Sequence, residues 1–129
     1  MDIPIELYQV ILERSNFKCQ IRLTQLNKYL SNNLKIYDFC HIDATYLKLL
    51  SNSILKNYKY ITKLSTYMNN KITDEGIKHM KLHTLCANNN PNITDKGISH
   101  MNLHTLYVGS NPNITYDGTR HMANLTLWQ

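Results

Sequence analysis

Ile72-Thr73-Asp74-Glu75-Gly76-Ile77-Lys78-His79-Met80 decides how this chain folds, because the same string comes back. It returns 21 residues on as Ile93-Thr94-Asp95-Lys96-Gly97-Ile98-Ser99-His100-Met101. After another 21 residues it returns, weakened, as Ile114-Thr115-Tyr116-Asp117-Gly118-Thr119-Arg120-His121-Met122. A fixed period of this length marks stacked units, each burying its apolar edge only against its neighbours. The period predicts an α/β solenoid.

Upstream of each copy runs a second pattern: apolar, two spacers, apolar, one spacer, small, two spacers, Asn. Ile61, Leu64, Thr66 and Asn69 fill it first, then Leu82, Leu85, Ala87 and Asn90, then Leu103, Leu106, Val108 and Asn111. With the Ile-Thr-Asp-x-Gly segment, this resembles the leucine-rich repeat in its cysteine-containing subtype. The resemblance implies a curved parallel sheet over residues 34–129, built from about four units. These are a degenerate unit at 34–60, three at 61–81, 82–102 and 103–123, and a partial one at 124–129.

In that family a sharp turn follows each strand and leaves backbone groups inside that need partners. Asn offers one acceptor and two donors, so Asn69, Asn90 and Asn111 form a structural ladder. Asp74 and Asp95 are expected to cap helices. Gly76, Gly97 and Gly118 fall where a helix must approach the next unit, or where φ is unusual. Ile77, Ile98, Met80, Met101 and Met122 point inward. In the last copy Tyr116 and Thr119 replace Asp and Ile, a fraying end. Leu127 aligns with Leu106, which leaves the last strand as an exposed edge.

Residues 34–60 are a stretched first unit, with Leu34 and Ile36 alternating as a short strand. Residues 42–50 overlay 72–80, with Leu47 on Ile77 and Leu50 on Met80. The 30-residue step from Ile42 to Ile72 then predicts a longer helix over 45–57, with Leu47, Leu50, Ile54 and Leu55 inward.

Two apolar stripes at helical spacing precede the repeats. Ile5, Leu7, Tyr8, Ile11 and Leu12 make the first, Ser15-Asn16 breaks it, and Phe17, Ile21, Leu23, Leu26, Tyr29 and Leu30 make the second. Asp2 is placed to cap the first helix, and Pro4 suits its first turn. Ile3-Pro4-Ile5-Glu6-Leu7, Ile11-Leu12, Ile21-Arg22-Leu23 and Leu26-Asn27-Lys28-Tyr29 together resemble an F-box. Ile3 stands where that family has Leu, Tyr29 stands near its usual Trp, and the segment from Glu13 to Cys19 is short. The resemblance implies a helical module at 1–33 that docks on the Skp-type adaptor of a cullin ubiquitin ligase. Pro4, Ile5, Leu7, Ile11, Leu12, Leu23 and Leu26 would make that contact. The alternative for the same residues is an N-terminal cap on the repeats. No linker follows, so module and repeats are expected to share a core.

Composition narrows the function classes. No apolar run approaches ~18–20 residues, so no transmembrane helix is expected. The first residues lack a basic n-region, so no signal peptide is expected. Cys19, Cys40 and Cys86 are far apart and odd in number. They are read as free thiols in a reducing, intracellular compartment, cytoplasmic or nuclear. The net charge of +5 is scattered, which fits a solvated surface rather than a nucleic-acid patch. His79/His83 and His100/His104 have the spacing of metal ligands on a helix. One member of each pair ends a helix as the other enters a strand, so they are read as columns of rim histidines. Asn92-Ile93-Thr94, Asn113-Ile114-Thr115 and Asn124-Leu125-Thr126 fit the glycosylation sequon, but no signal peptide delivers them to the machinery. Cys86 has no recurring His or acid beside it. No nucleophile–base set, phosphate loop or carboxylate pair can be assembled. The expectation is a non-enzymatic binding protein without cofactor or metal, and without a nucleic-acid or membrane partner.

A ligand of the sheet would meet the spacers between the buried leucines. They form the rows Lys63/Thr84/Thr105/Thr126, Ser65/Cys86/Tyr107/Trp128 and Tyr67/Asn88/Gly109. Tyr67, Tyr107 and Trp128 are side chains of the kind that dominate protein interfaces. The expected target-binding set is Lys63, Ser65, Tyr67, Thr84, Cys86, Asn88, Thr105, Tyr107 and Trp128. Its ligand is a protein or peptide, because an open face is shallow. The two resemblances together imply a substrate-recruiting adaptor, with a stand-alone repeat scaffold as the alternative. The Asn, Lys and Ile bias, with an atypical F-box before few repeats, is similar to proteins of large DNA viruses of amoebae, which would place it in a host cell.

Overall fold

The computed structural model describes residues 4–26 and 28–129. The cap expected of Asp2, and the F-box positions Ile3 and Asn27, lie outside the described residues. The chain divides into two compact units, Met1–Tyr37 and Asp38–Gln129.

The first unit holds three helices, α1 (Ile5–Arg14), α2 (Phe17–Gln25) and α3 (Lys28–Asn33). Helix α1 starts directly after Pro4, whose carbonyl accepts from the Leu7 N–H at 3.0 Å. Its last carbonyls would be left open, and Gln20 reaches back to close them. Gln20 Nε2 donates to the carbonyls of Leu12 and Ser15, each at 3.0 Å. Asn16 caps α2 by accepting from the Cys19 N–H at 3.0 Å. The second apolar stripe therefore falls on two helices rather than one. Gln9 is stitched to the Lys35 backbone through two bonds of 3.0 Å, one given and one received.

The strand expected at Leu34 and Ile36 does not form; both side chains are buried instead. Strand β1 (Asp38–Phe39) comes later, followed by β2 (Lys63–Ser65), β3 (Thr84–Cys86), β4 (Thr105–Tyr107) and β5 (Thr126–Trp128). The five make one all-parallel sheet in the order β1-β2-β3-β4-β5. Phe39, Leu64, Leu85, Leu106 and Leu127 pair across it in register. The first four of these are fully buried. Between strands lie one-turn helices: α4 (Ala44–Leu47), α5 (Asn52–Leu55), α6 (Asp74–Ile77), α7 (Asp95–Ile98) and α8 (Tyr116–Thr119). A single turn is far too short to be helical by itself. Burial holds these turns in place, through Leu55, Ile77 and Ile98.

The Asn ladder is present. Asn90 Nδ2 donates to the carbonyls of Asn69 at 2.8 Å and Ile72 at 3.1 Å. Asn111 repeats this on Asn90 at 2.8 Å and Ile93 at 3.1 Å. Asn69 donates to Leu47 at 2.6 Å and Leu50 at 3.1 Å. That first rung corrects the overlay of residues 42–50. Leu47 occupies the place of Asn69, and Leu50 that of Ile72. The long helix expected over 45–57 is instead α4 and α5, separated by residues 48–51. Asp38 pairs with Lys63, a step of 25 (63 − 38), whereas Leu47 to Asn69 is a step of 22 (69 − 47). The extra length of this unit lies between strand and turn, where α4 sits.

Asp74 and Asp95 are not the caps of their helices; Thr73, Thr94 and Thr115 stand at the cap positions. Each acid braces the next unit. Asp74 accepts from the Thr94 N–H at 2.8 Å and hydroxyl at 2.6 Å. Asp95 accepts from the Thr115 N–H at 2.7 Å and hydroxyl at 2.6 Å. Asn52 plays the same part for Thr73, accepting from its N–H at 3.0 Å. The glycines follow from this brace. None has a positive φ. A Cβ on Gly97 would fall 2.7 Å from the Asp74 carboxylate carbon, and Gly118 meets Asp95 in the same way. The residues that do turn left-handed precede the ladder: Met68, Asn89 and Ser110, with φ of 51°, 53° and 55°. Among the described residues no helix is long and apolar enough to cross a membrane.

Candidate functional site on the open face of the sheet

Alternation along each strand sends the leucines to the core and their neighbours to the opposite face. The pairing sets those neighbours in two rows. One runs Asp38, Lys63, Thr84, Thr105, Thr126, and the other runs Ser65, Cys86, Tyr107, Trp128. Two of the three rows expected from the spacing are thus paired rows of the sheet, with Asp38 added at the β1 end; Tyr67, Asn88 and Gly109 lie beyond the ends of their strands.

A hollow of about 340 Å³ opens on this face. It gathers Lys63, Ser65, Thr84, Cys86, Thr105 and Tyr107 from the expected set, and adds Cys40 and His41. Sequence reasoning missed those two because it placed the first strand at Leu34 and Ile36. Phe39, flanked by polar Asp38 and the small Cys40, was the available signal. Ser65 forms the buried floor. Tyr107 walls one end and stacks on Trp128 with ring centroids 6.2 Å apart and 13° between planes. Tyr67, Tyr107 and Trp128 are all exposed. Asn88 is already engaged in the fold, since its side-chain oxygen accepts from the Gly109 N–H at 2.6 Å.

The β1 end carries charge. Asp38 lies 3.4 Å from His41 Nδ1 and 3.9 Å from Lys63 Nζ, and it accepts from the Cys40 N–H at 2.7 Å. Burial, aided by Asp38 and Cys86, pushes the Cys40 thiol up to about 12. Cys40 is therefore a neutral, soft wall of the hollow, the reverse of an activated nucleophile. Cys40 and Cys86 are free thiols. Two strand spacings of ~4.8 Å separate their backbones, beyond disulfide reach. The face offers a polar, charged end, a row of hydroxyls and an aromatic end.

The recurring histidines are columns running from unit to unit. His83 and His104 stack at 4.1 Å with 7° between planes. His100 Nε2 lies 3.3 Å from the Met80 carbonyl, and His121 Nε2 lies 3.0 Å from that of Met101. Among the described residues no three His, Cys, Asp or Glu side chains gather as a metal would need.

In the first unit the residues expected to meet an adaptor divide by exposure. Pro4, Leu7, Ile11 and Leu26 are exposed, and Ile5 and Leu23 are half-buried. Leu12 is 1% exposed and so belongs to the core, which removes it from any contact surface. Val10 on α1 and Tyr29 on α3, not among those expected, are exposed apolar side chains too. No protein-family model matches the chain, and no curated protein is significantly similar to it.

Proposed function

We propose that this protein is a substrate-recruiting adaptor, acting by binding rather than catalysis. Residues 1–33 are an F-box-like module that docks a Skp-type adaptor of a cullin ubiquitin ligase. The repeats are a leucine-rich-repeat solenoid whose open face holds a protein target. One observation carries the docking half: Leu7, Val10, Ile11, Leu26 and Tyr29 are all exposed on one small helical unit. So many exposed large apolar side chains in one small unit support an interaction surface there. The target half is supported by the hollow ending in Tyr107 and Trp128. The solenoid reading is supported by the in-order parallel strands and the Asn ladder.

A second reading is that the helices only cap the repeats. A pull-down of the full chain with a purified Skp adaptor separates the two. The adaptor reading expects capture by the wild type and its loss in Leu7→Asp and Ile11→Asp, which alter exposed positions and leave the core intact. No capture by the wild type, or equal capture by both variants, would sink it.

A further inference from the structure

The hollow on the open face exists where one row of side chains is small. Ser65, Cys86, Tyr107 and Trp128 follow each other in register from β2 to β5. The row grows from a hydroxymethyl to an indole, and the space of about 340 Å³ lies over its small end. Lys63 and His41 line that end, and Tyr107 closes the other. Among the described residues lining the hollow none is acidic. Asp38 stands beside it, outside the lining, 3.4 Å from His41 Nδ1 and 3.9 Å from Lys63 Nζ. The longer of these distances exceeds a hydrogen bond. The half-exposed Lys63 ammonium therefore keeps donors to offer a ligand. Strands β2 to β4 each have a neighbour on both sides. A ligand here finds no strand edge to join, so side chains must carry its recognition.

Taking the open face as the target-binding surface, on which this rests, we propose that the hollow holds an acidic side chain of the target. That Glu or Asp belongs to a segment in the polyproline II conformation, and an aromatic side chain three positions away rests on Tyr107. Charge selects the first side chain. Its carboxylate meets the Lys63 ammonium and the Thr84 hydroxyl, and no acid in the wall repels it. The thiols of Cys40 and Cys86 give its methylenes soft walls, with Ser65 beneath. Spacing selects the second side chain. The floor at Ser65 and the ring of Tyr107 share one row, two strand steps or ~9.6 Å apart. A polyproline II chain has three residues per turn and rises ~3.1 Å per residue, so every third side chain shares a face at ~9.3 Å. Same-face side chains of a β-strand fall at ~6.8 Å or ~13.6 Å, which fits neither way. Polyproline II also needs no main-chain partner, and this face has none to give.

Trp128 is the only tryptophan of the chain and stacks on Tyr107, so its emission reports on the site. End-capped synthetic peptides carrying Glu-Pro-Pro-Tyr are expected to change it saturably. Gln in place of Glu, or the loss of one proline, should weaken binding by ~threefold or more, the scale of an exposed ion pair. In Lys63→Met the Glu and Gln peptides should bind alike, which assigns the preference to that ammonium. Cys86→Tyr fills the hollow and should abolish binding with the circular dichroism unchanged. Selection of a random peptide display library on the full chain separates this proposal from the reading beneath it. Peptides lost on Cys86→Tyr that share an acid and an aromatic three positions apart would support it. Peptides lost on Cys86→Tyr without that pair, or equal binding of the Glu and Gln peptides to the wild type, would overturn it and leave the face a binding surface. A selection that yields no peptide sensitive to Cys86→Tyr would overturn both.

Discussion

Gly97 lacks a side chain because the Asp74 carboxylate stands where its Cβ would go. Gly97→Ala must push that carboxylate off the Thr94 N–H and hydroxyl. Hydrogen bonds to a charged group contribute ~1.5–3 kcal/mol each, so urea unfolding should show a loss of ~2–4 kcal/mol. Asp74→Ala in the same chain should make Gly97→Ala nearly harmless, the non-additivity expected of two changes that break one brace. Met68 offers the opposite case. It is 62% exposed and held at a φ of 51° that side chains disfavour. Met68→Asn should raise stability by ~0.5 kcal/mol, since Asn tolerates that conformation. Cys40 gives a pH dependence. Its thiol is raised from 9.0 to about 12, so folding favours the protonated form. The stability it contributes is whole below pH 9 and is lost as pH rises from 9 towards 12. Because Cys40 is only partly buried, that loss is discounted to ~1–2 kcal/mol. The urea midpoint should fall less over this range in Cys40→Ser than in the wild type. At this scale the ladder asparagines were legible in the sequence, because a buried Asn at a fixed period has one economical use. The aspartates were misassigned because capping is a local rule, whereas their partners lie 20 residues further on.

Strands β2 to β5 could be read from sequence because the period repeats their pattern, while the element at 34–60 could not. There Leu47 takes the ladder place and Asn52 takes the place of an acid, so neither marker residue is present to fix the register. Leu34 and Ile36 look like a strand because they are apolar at alternate positions, and burial alone explains them. The open-face hollow was legible in six of its eight lining residues, and the two missing ones follow from that single slip. Asn52→Asp tests the register directly. It would place at α5 the charged acceptor that α6 and α7 already have, near a helix start that favours negative charge. The expected gain is ~0.5–1 kcal/mol in chemical denaturation. No gain, or a loss, would mean that Asn52 is held in place chiefly as a donor to the Thr73 hydroxyl.

Across Asp38–Gln129 the burial is uneven, and protection should follow it. Leu64, Leu85 and Leu106 are sealed while Leu127 is half-open. Amide exchange should be slowest in β3 and β4 and fastest in β5. Each brace joins two consecutive units, with the acid in one and the Thr and Gly that receive it in the next. A joint of that kind does not record which unit it belongs to. Removing residues 82–102 would bring Asp74 to Thr115 and Gly118 as it now meets Thr94 and Gly97, and Asn69 under Asn111. The shortened chain should still fold, with a lower melting temperature and one strand fewer, whereas a deletion of 20 or 22 residues, which puts brace and ladder out of register at the new joint, should cost more stability. The array is thus a chain of interchangeable couplings, so copying or losing one whole 21-residue segment leaves every remaining joint intact.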